Sequence, residues 1–233
     1  MTTTSFAERR SRLEAYFDRT AMDAWKQLTS DAPVSKIRAT VRAGRNTMHG
    51  VLMSWLPDDL AGSRVLDAGC GTGALSFKLA QRGAKVIATD VSASLIDIAR
   101  DRRPDDIPAE AIDFRCGDML QSGCGEVDYV VAMDSLIHYE TKDILAALVA
   151  MGRYTTRKMV VTVAPRTPAL QLMRTMGKIF PRSDRAPAIV PAHIPKLCQS
   201  IGEEPGLAGW QVGRTERVMN GFYTSHAIEM VRR

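Results

Sequence analysis

The sequence has no apolar run near the roughly 20 residues that a bilayer span needs. Its opening stretch, MTTTSFAERRSRLEAYF, lacks the apolar core of a secretory signal. The expectation is a cytoplasmic chain, with peripheral membrane contact left open. The four cysteines, Cys70, Cys116, Cys124 and Cys198, show no C-x-x-C spacing, which argues against a zinc site and against a disulfide framework. No protein-bound metal is expected. Internal repeats and Gly/Ser linkers are also missing, so 233 residues, 45% of them hydrophobic, fit one substantial core with an appendage. The charge is mild, +5 net with an isoelectric point near 9.2. That balance suits anionic small molecules, acidic membranes or nucleic acid about equally and selects none of them. No obvious RNA-binding module is present, and no nucleic-acid partner is expected.

What is there changes texture near Leu60 to Ser63. Residues 1–62 read as an N-terminal helical segment or lid: from Val34 to Trp55, Val34, Ile37, Val41, Met48, Leu52 and Trp55 recur near the 3.6-residue period. Arg38, Arg42, Arg45 and His49 follow the same spacing on an adjacent face. Residues 63–233 alternate short apolar runs with amphipathic helices, the pattern of a parallel sheet covered on both faces. Strands are expected at Arg64 to Ala68, Lys85 to Asp90, Ala111 to Cys116, Val127 to Met133 and Lys158 to Val163, with helices from Gly73, Ser94 and Thr141. A helix from Pro191 to Ile201 precedes a closing hairpin of Gly209 to Arg214 and Asn220 to Val231. The fold class is α/β: a Rossmann-like, doubly wound, mostly parallel sheet of seven strands with an antiparallel edge strand, plus the helical lid. Residues 165–190, rich in Met, Phe and basic residues, interrupt it on the substrate side.

The first strand ends in Asp67-Ala-Gly69-Cys70-Gly71-Thr-Gly73. The spacing G-x-G-x-G is not the dinucleotide fingerprint, and no Lys of a P-loop follows. A carboxylate two residues before the first glycine repels phosphate and attracts an ammonium, which points to the amino-acid end of S-adenosylmethionine. Asp90 and Asp118 end the next two strands, and ligands of open parallel sheets sit beyond those ends. Asp90 can accept from both ribose hydroxyls, and Val91 follows it. Asp118 can accept from the adenine amino group, while the Met119 N–H can donate to a ring nitrogen. Met133 and Asp134, at the fourth strand end, complete the cofactor set. Each feature also has a plain reading, a tight connection or a helix N-cap.

Taken together, the arrangement over Arg64 to about Val163 resembles the class I S-adenosylmethionine-dependent methyltransferases. Further stretches are similar to the magnesium-protoporphyrin IX methyltransferases: YFDRTAMDAWKQL, IRATVRAGRNTM, DYVVAMDSLIHY, APRTPALQLMRTMGKIFPRSDRAPAIVPAHI and NGFYTSHAIEMVRR. The chain departs from that family at Leu28, where the family carries Tyr after the Trp-Lys, and between Pro181 and His193. The resemblance implies methyl transfer to a propionate of magnesium protoporphyrin IX, with S-adenosylhomocysteine as the other product. Delivery of that substrate by the magnesium-chelatase large subunit is a further implication. Quinone-type O-methyltransferases and RNA methyltransferases are the alternatives.

For the acceptor, His138 in AMDSLIHY is the catalytic candidate, either on the carboxylate or on the magnesium, with a packed histidine as the bland alternative. Arg38, Arg42 and Arg45, with Arg166, Arg174, Lys178 and Arg182, are candidates to grip a propionate or else a solvated face. Trp25, Met48, Met173, Met176, Ile179 and Phe180 offer apolar area for a flat macrocycle or for ordinary core. His193 joins the substrate set.

Overall fold

The computed structural model describes residues 36–120, 123–167 and 189–233. Its elements run α1 (Lys36–Ser54), β1 (Arg64–Ala68), α2 (Ala74–Gln81), β2 (Lys85–Asp90), α3 (Ala93–Asp101), β3 (Ile112–Cys116), β4 (Val127–Ala132), α4 (Thr141–Gly152), β5 (Thr155–Val163), α5 (Ile194–Glu203), β6 (Trp210–Asn220) and β7 (Tyr223–Arg232). One seven-stranded sheet carries the order β3-β2-β1-β4-β5-β7-β6. The first five strands are mutually parallel, and β7 runs antiparallel to both β5 and β6. Strand order reverses between β1 and β4, the place where open α/β sheets leave a ligand crevice.

Burial explains why these runs become strands. Along β1, Val65 and Leu66 are both fully buried but join different clusters, one on each face of the sheet. A strand covered on both sides can use a continuous apolar run rather than an alternating one. One face packs Met48 and Leu52 of α1, Leu75 and Leu79 of α2 and Ile96 of α3. The other packs Ile144, Leu148 and Met151 of α4 with Leu197 and Ile201 of α5. The described part of the N-terminal segment therefore shares the core of the sheet: Trp55, Leu56 and Leu60 belong to the same cluster as Val65 and Val86.

The closing hairpin differs from its expected form. β6 continues through Thr215, Glu216 and Arg217 to Asn220, and the chain turns at Gly221 and Phe222. A polar stretch reads as a loop in sequence, yet here it is the outer strand of the sheet, where side chains meet water. β3, the other outer strand, carries the Asp113–Arg115 ion pair at 2.6 Å.

Glu229 of β7 ties α1 down at its C-terminal end. Its carboxylate accepts from Arg214 and Lys158, each at 2.7 Å, and both cations also donate to the Trp55 carbonyl just past α1. Cations at a helix C-terminus meet the negative end of its dipole. The Arg214 hydrogen bond is the largest influence on the Glu229 carboxyl; with Lys158 it outweighs burial and holds the group at about 2, below the ordinary 4.5. With the folded value below the unfolded one, the ionised form stabilises the fold above pH 4.5, and that stability is lost as pH falls towards 2. Glu229→Gln is expected to lower unfolding free energy by about 2 kcal/mol at neutral pH. Urea denaturation should show the gap from the parent closing as pH is lowered through about 4; a gap that does not move with pH refutes the assignment.

Candidate active site

The crevice is lined by the carboxyl ends of β1, β2, β3 and β4. After β1 the backbone folds through Gly69, Gly71 and Gly73 at φ of 83°, 56° and 81°, a left-handed region that only glycine enters cheaply. The Gly69 and Cys70 N–H groups donate to the Thr89 carbonyl at 2.8 and 2.9 Å. Asp90 straps the turn from the side: one carboxylate oxygen accepts from Gly71 N–H at 2.9 Å, the other from Ser92 N–H at 3.0 Å.

Asp118 follows β3 and is half-buried; it accepts from Leu120 N–H at 2.9 Å, which shapes the turn that carries the buried Met119. Gly117 N–H donates to the Asp90 carbonyl at 2.8 Å and brings the two acids' segments together. Asp67 sits differently from the simplest expectation of a ligand-facing carboxylate. It is 1% exposed and accepts from Ser76 Oγ of α2 at 2.6 Å. Burial raises its carboxyl to about 7, with Asp90 adding to the rise and Ser76 opposing it. Burial and the same two acids push the Cys70 thiol well up, so Cys70 packs and does not act as a nucleophile.

A sulfonium nucleoside fits this cradle on structural grounds. A Cβ on Gly69 would fall 2.4 Å from Ser135 Cβ at the β4 tip, so the turn and that tip are already in contact. Beside it the buried Ser135 Oγ has no hydrogen-bond partner, and neither has Thr89 Oγ1 behind the turn. Buried hydroxyls left in this way cost free energy that a polar ligand recovers. Acids and backbone groups surround the turn, which suits ribose hydroxyls and an ammonium better than a pyrophosphate.

At the neighbouring strand end, β4 leads through Met133, which is buried, and Asp134 into a 3-10 turn, Leu136–His138. His138 is half-buried there, and the Ile137 carbonyl accepts from Val190 N–H at 2.8 Å. Arg45 pairs with Asp134 at 2.5 Å, which joins a residue expected on the acceptor to one expected on the cofactor. Arg38 is exposed and Arg42 half-buried on the same helix. His49 is buried, and that burial, with Arg45 and Lys78 nearby, lowers its imidazole to about 3, so it stays neutral. His193 caps α5, its Nδ1 accepting from Lys196 N–H at 3.3 Å. Met173, Met176 and Phe180, with Trp25, Leu28, Arg174, Lys178, Ile179 and Arg182, lie outside the described residues. Sequence reasoning missed Thr162, Tyr223 and Ser225, which also bond Asp134. Tyr223 and Ser225 lie two residues apart on β7, and such alternation is their one sequence signal.

Comparison with known proteins adds to this geometry. A family model described as magnesium-protoporphyrin IX methyltransferase C-terminus matches residues 132–232, and a methyltransferase domain model matches 65–158. The chain is 48% identical over 225 residues to the magnesium-protoporphyrin O-methyltransferase of Rhodobacter capsulatus, covering 96% of this chain and 97% of the relative. It is 31% identical to the Synechocystis enzyme of the same name, over 93% and 94% of the two chains. The crystal structure of magnesium protoporphyrin IX methyltransferase from Synechocystis with bound S-adenosylhomocysteine superposes with a TM-score of 0.82 at 28% identity, over 96% of this chain and 99% of that one. The chain therefore belongs to the magnesium-protoporphyrin O-methyltransferase family and is an S-adenosylmethionine-dependent O-methyltransferase.

Proposed function

We propose that this chain moves the methyl group of S-adenosylmethionine to a propionate carboxylate of magnesium protoporphyrin IX, giving the monomethyl ester and S-adenosylhomocysteine. One observation carries the reading: acids at successive strand ends surround a glycine turn, in a chain 48% identical along nearly its whole length to an enzyme named for that reaction.

The cofactor supplies an electrophilic methyl group on a sulfonium. Asp90 holds the ribose hydroxyls, and Asp118 with the Met119 N–H holds the adenine. Gly69, Cys70, Gly71 and Gly73 shape the floor, while Val91 and Met133 bound the sides. Asp67 acts through its field on the ammonium.

A propionate has a pKa of about 4.3, so it arrives ionised at neutral pH and needs no strong base. Carboxylate and sulfonium lose their charges on the way to the ester, and water, which stabilises the separated ions, slows that step. Alignment of oxygen, carbon and sulfur in a shielded pocket is the main device, worth several kcal/mol. His138 holds the reacting carboxylate without quenching it. Arg38 and Arg42 take the other propionate, since a guanidinium clamp on the attacking oxygen would favour the ground state. Met173, Met176 and Phe180 belong to the macrocycle's apolar contact. Hand-over from the magnesium-chelatase large subunit and contact with a membrane surface belong to the same reading, because the acceptor is poorly soluble. Met219 and Phe222 at the β6–β7 turn, 62% and 51% exposed, offer apolar area for it.

Incubation with magnesium protoporphyrin IX and S-adenosylmethionine should add one methyl group by mass; no addition overturns the reading. His138→Gln should slow single turnover about ten-fold or more, with S-adenosylhomocysteine affinity within about two-fold. An unchanged rate removes His138 from the chemistry. The ammonium group of the bound nucleoside favours the ionised form of Asp67, whose carboxyl lies near 7 in the free protein, so binding releases a proton. Calorimetry should find affinity for S-adenosylhomocysteine rising from about pH 5 to 7 and levelling above, with Asp67→Asn flattening the curve. A flat curve in the parent excludes that role.

A further inference from the structure

We propose that Asp134 is a positioning residue for methyl transfer: gripped by Arg45 of α1 and by Tyr223 and Ser225 of β7, it sets the spacing between the glycine turn and the segment carrying His138. The proposal rests on the transfer reaction given above.

The backbone marks the place. Asp134 has φ of 55°, the sole positive value outside glycine among the described residues. An L-residue there is disfavoured by roughly 1 kcal/mol and persists only where its surroundings over-determine it. Those surroundings are explicit. Arg45 pairs with one carboxylate oxygen at 2.5 Å, and the Tyr223 hydroxyl donates to both oxygens at 3.1 and 3.3 Å. Ser225 Oγ donates at 3.2 Å, while Asp134 N–H donates to Thr162 Oγ1 of β5 at 2.7 Å. Three separate elements, α1, β5 and β7, thus meet at one residue whose side chain is 8% exposed.

The donors are themselves held. A Cβ on Gly44, one residue before Arg45, would fall 2.5 Å from Tyr223 Cδ1, so α1 presses directly on that ring. Burial and the nearby Asp134 charge push the phenol upward in pKa, which keeps its hydroxyl a donor. Arg45 is 15% exposed and has little water to fall back on.

The residues just after Asp134 give the network its consequence. Ser135 is the residue against which Gly69 of the glycine turn lies, and the 3-10 turn bearing His138 begins at Leu136. Any shift of Asp134 therefore moves the methyl-donor floor relative to the acceptor's contact. A misplacement of about 1 Å costs transfer reactions about a hundred-fold. A carboxylate engaged by this many protein donors is a fixed point of the frame, not a group that reaches for ligand.

The test uses the full chain with Asp134→Asn, Arg45→Gln, Arg45→Lys, Tyr223→Phe and the double variant Arg45→Gln/Asp134→Asn. Asp134→Asn should lower kcat about ten- to a hundred-fold, with acceptor KM and S-adenosylhomocysteine Kd within about three-fold. Arg45→Lys should recover most of what Arg45→Gln loses, since a point charge can replace a single-nitrogen contact. The double variant should be no slower than the worse single one, as members of one unit are not additive. An unchanged kcat, affinity for S-adenosylhomocysteine falling in step with kcat, or multiplied losses in the double variant each overturn the proposal. If Asp134→Asn does not fold, Tyr223→Phe, which keeps the ion pair, should show the same kcat-only loss at about three- to ten-fold, and its absence counts against. If the parent itself transfers no methyl, the reaction is wrong and hydrogen exchange decides the frame: Asp134→Asn should speed exchange over residues 134–138 by about ten-fold, and unchanged exchange overturns it.

Discussion

Side chains lie directly on backbone at the carboxyl ends of these strands because glycine puts no Cβ in their way. Gly69 lies on Ser135, and Gly73 leaves room for Phe77 and Ala99, each within 3.2 Å of where a Cβ would stand. Farther along, Gly44 admits Tyr223 under α1, and Gly221 admits Thr40. The same close approach brings the Asp90 carboxylate onto a turn N–H and lets the β4 tip touch the cofactor floor. The glycine turn and the β4 tip are therefore in one continuous contact.

α1 crosses this arrangement as a roof and is fastened twice by charge. Arg45 meets Asp134 near its middle, and Lys158 with Arg214, both resting on Glu229, takes the carbonyl beyond its end. Removing one partner of a buried pair is costly, yet intact pairs surrender hydration and add little over apolar packing of the same volume. What they contribute is geometry, because an apolar face alone lets a helix slide by fractions of a turn, while a carboxylate with several donors has one satisfied position. Apolar contact from Met48 and Leu52 holds the roof on; the charges say where.

Sequence reading recovered β1 and β2 to the residue, since each is a continuous apolar run cut by glycine or an acid. It recovered the acids at the strand ends because their type and place in the pattern are one signal. It placed the β6–β7 turn too early, because an outer strand's water-facing residues look like loop. The inward turn of Asp67 onto Ser76 was not legible, as a buried and an exposed aspartate share one letter. Nor was the pairing of Arg45 with Asp134, separated by 89 positions, which depends on how a helix lies across a sheet. Residues expected to touch the macrocycle, such as Met173 and Phe180, lie outside the described residues.

The outermost strands end this sheet with open rows of N–H and C=O groups, which invite another copy to add on. β3 places Asp113 and Arg115 along its rim, and β6 places Arg214, Glu216 and Arg217 along the opposite one. Ionic fringes of this kind make stacking into ribbons unfavourable, so the protein can be concentrated beside a greasy pigment without polymerising through its own borders.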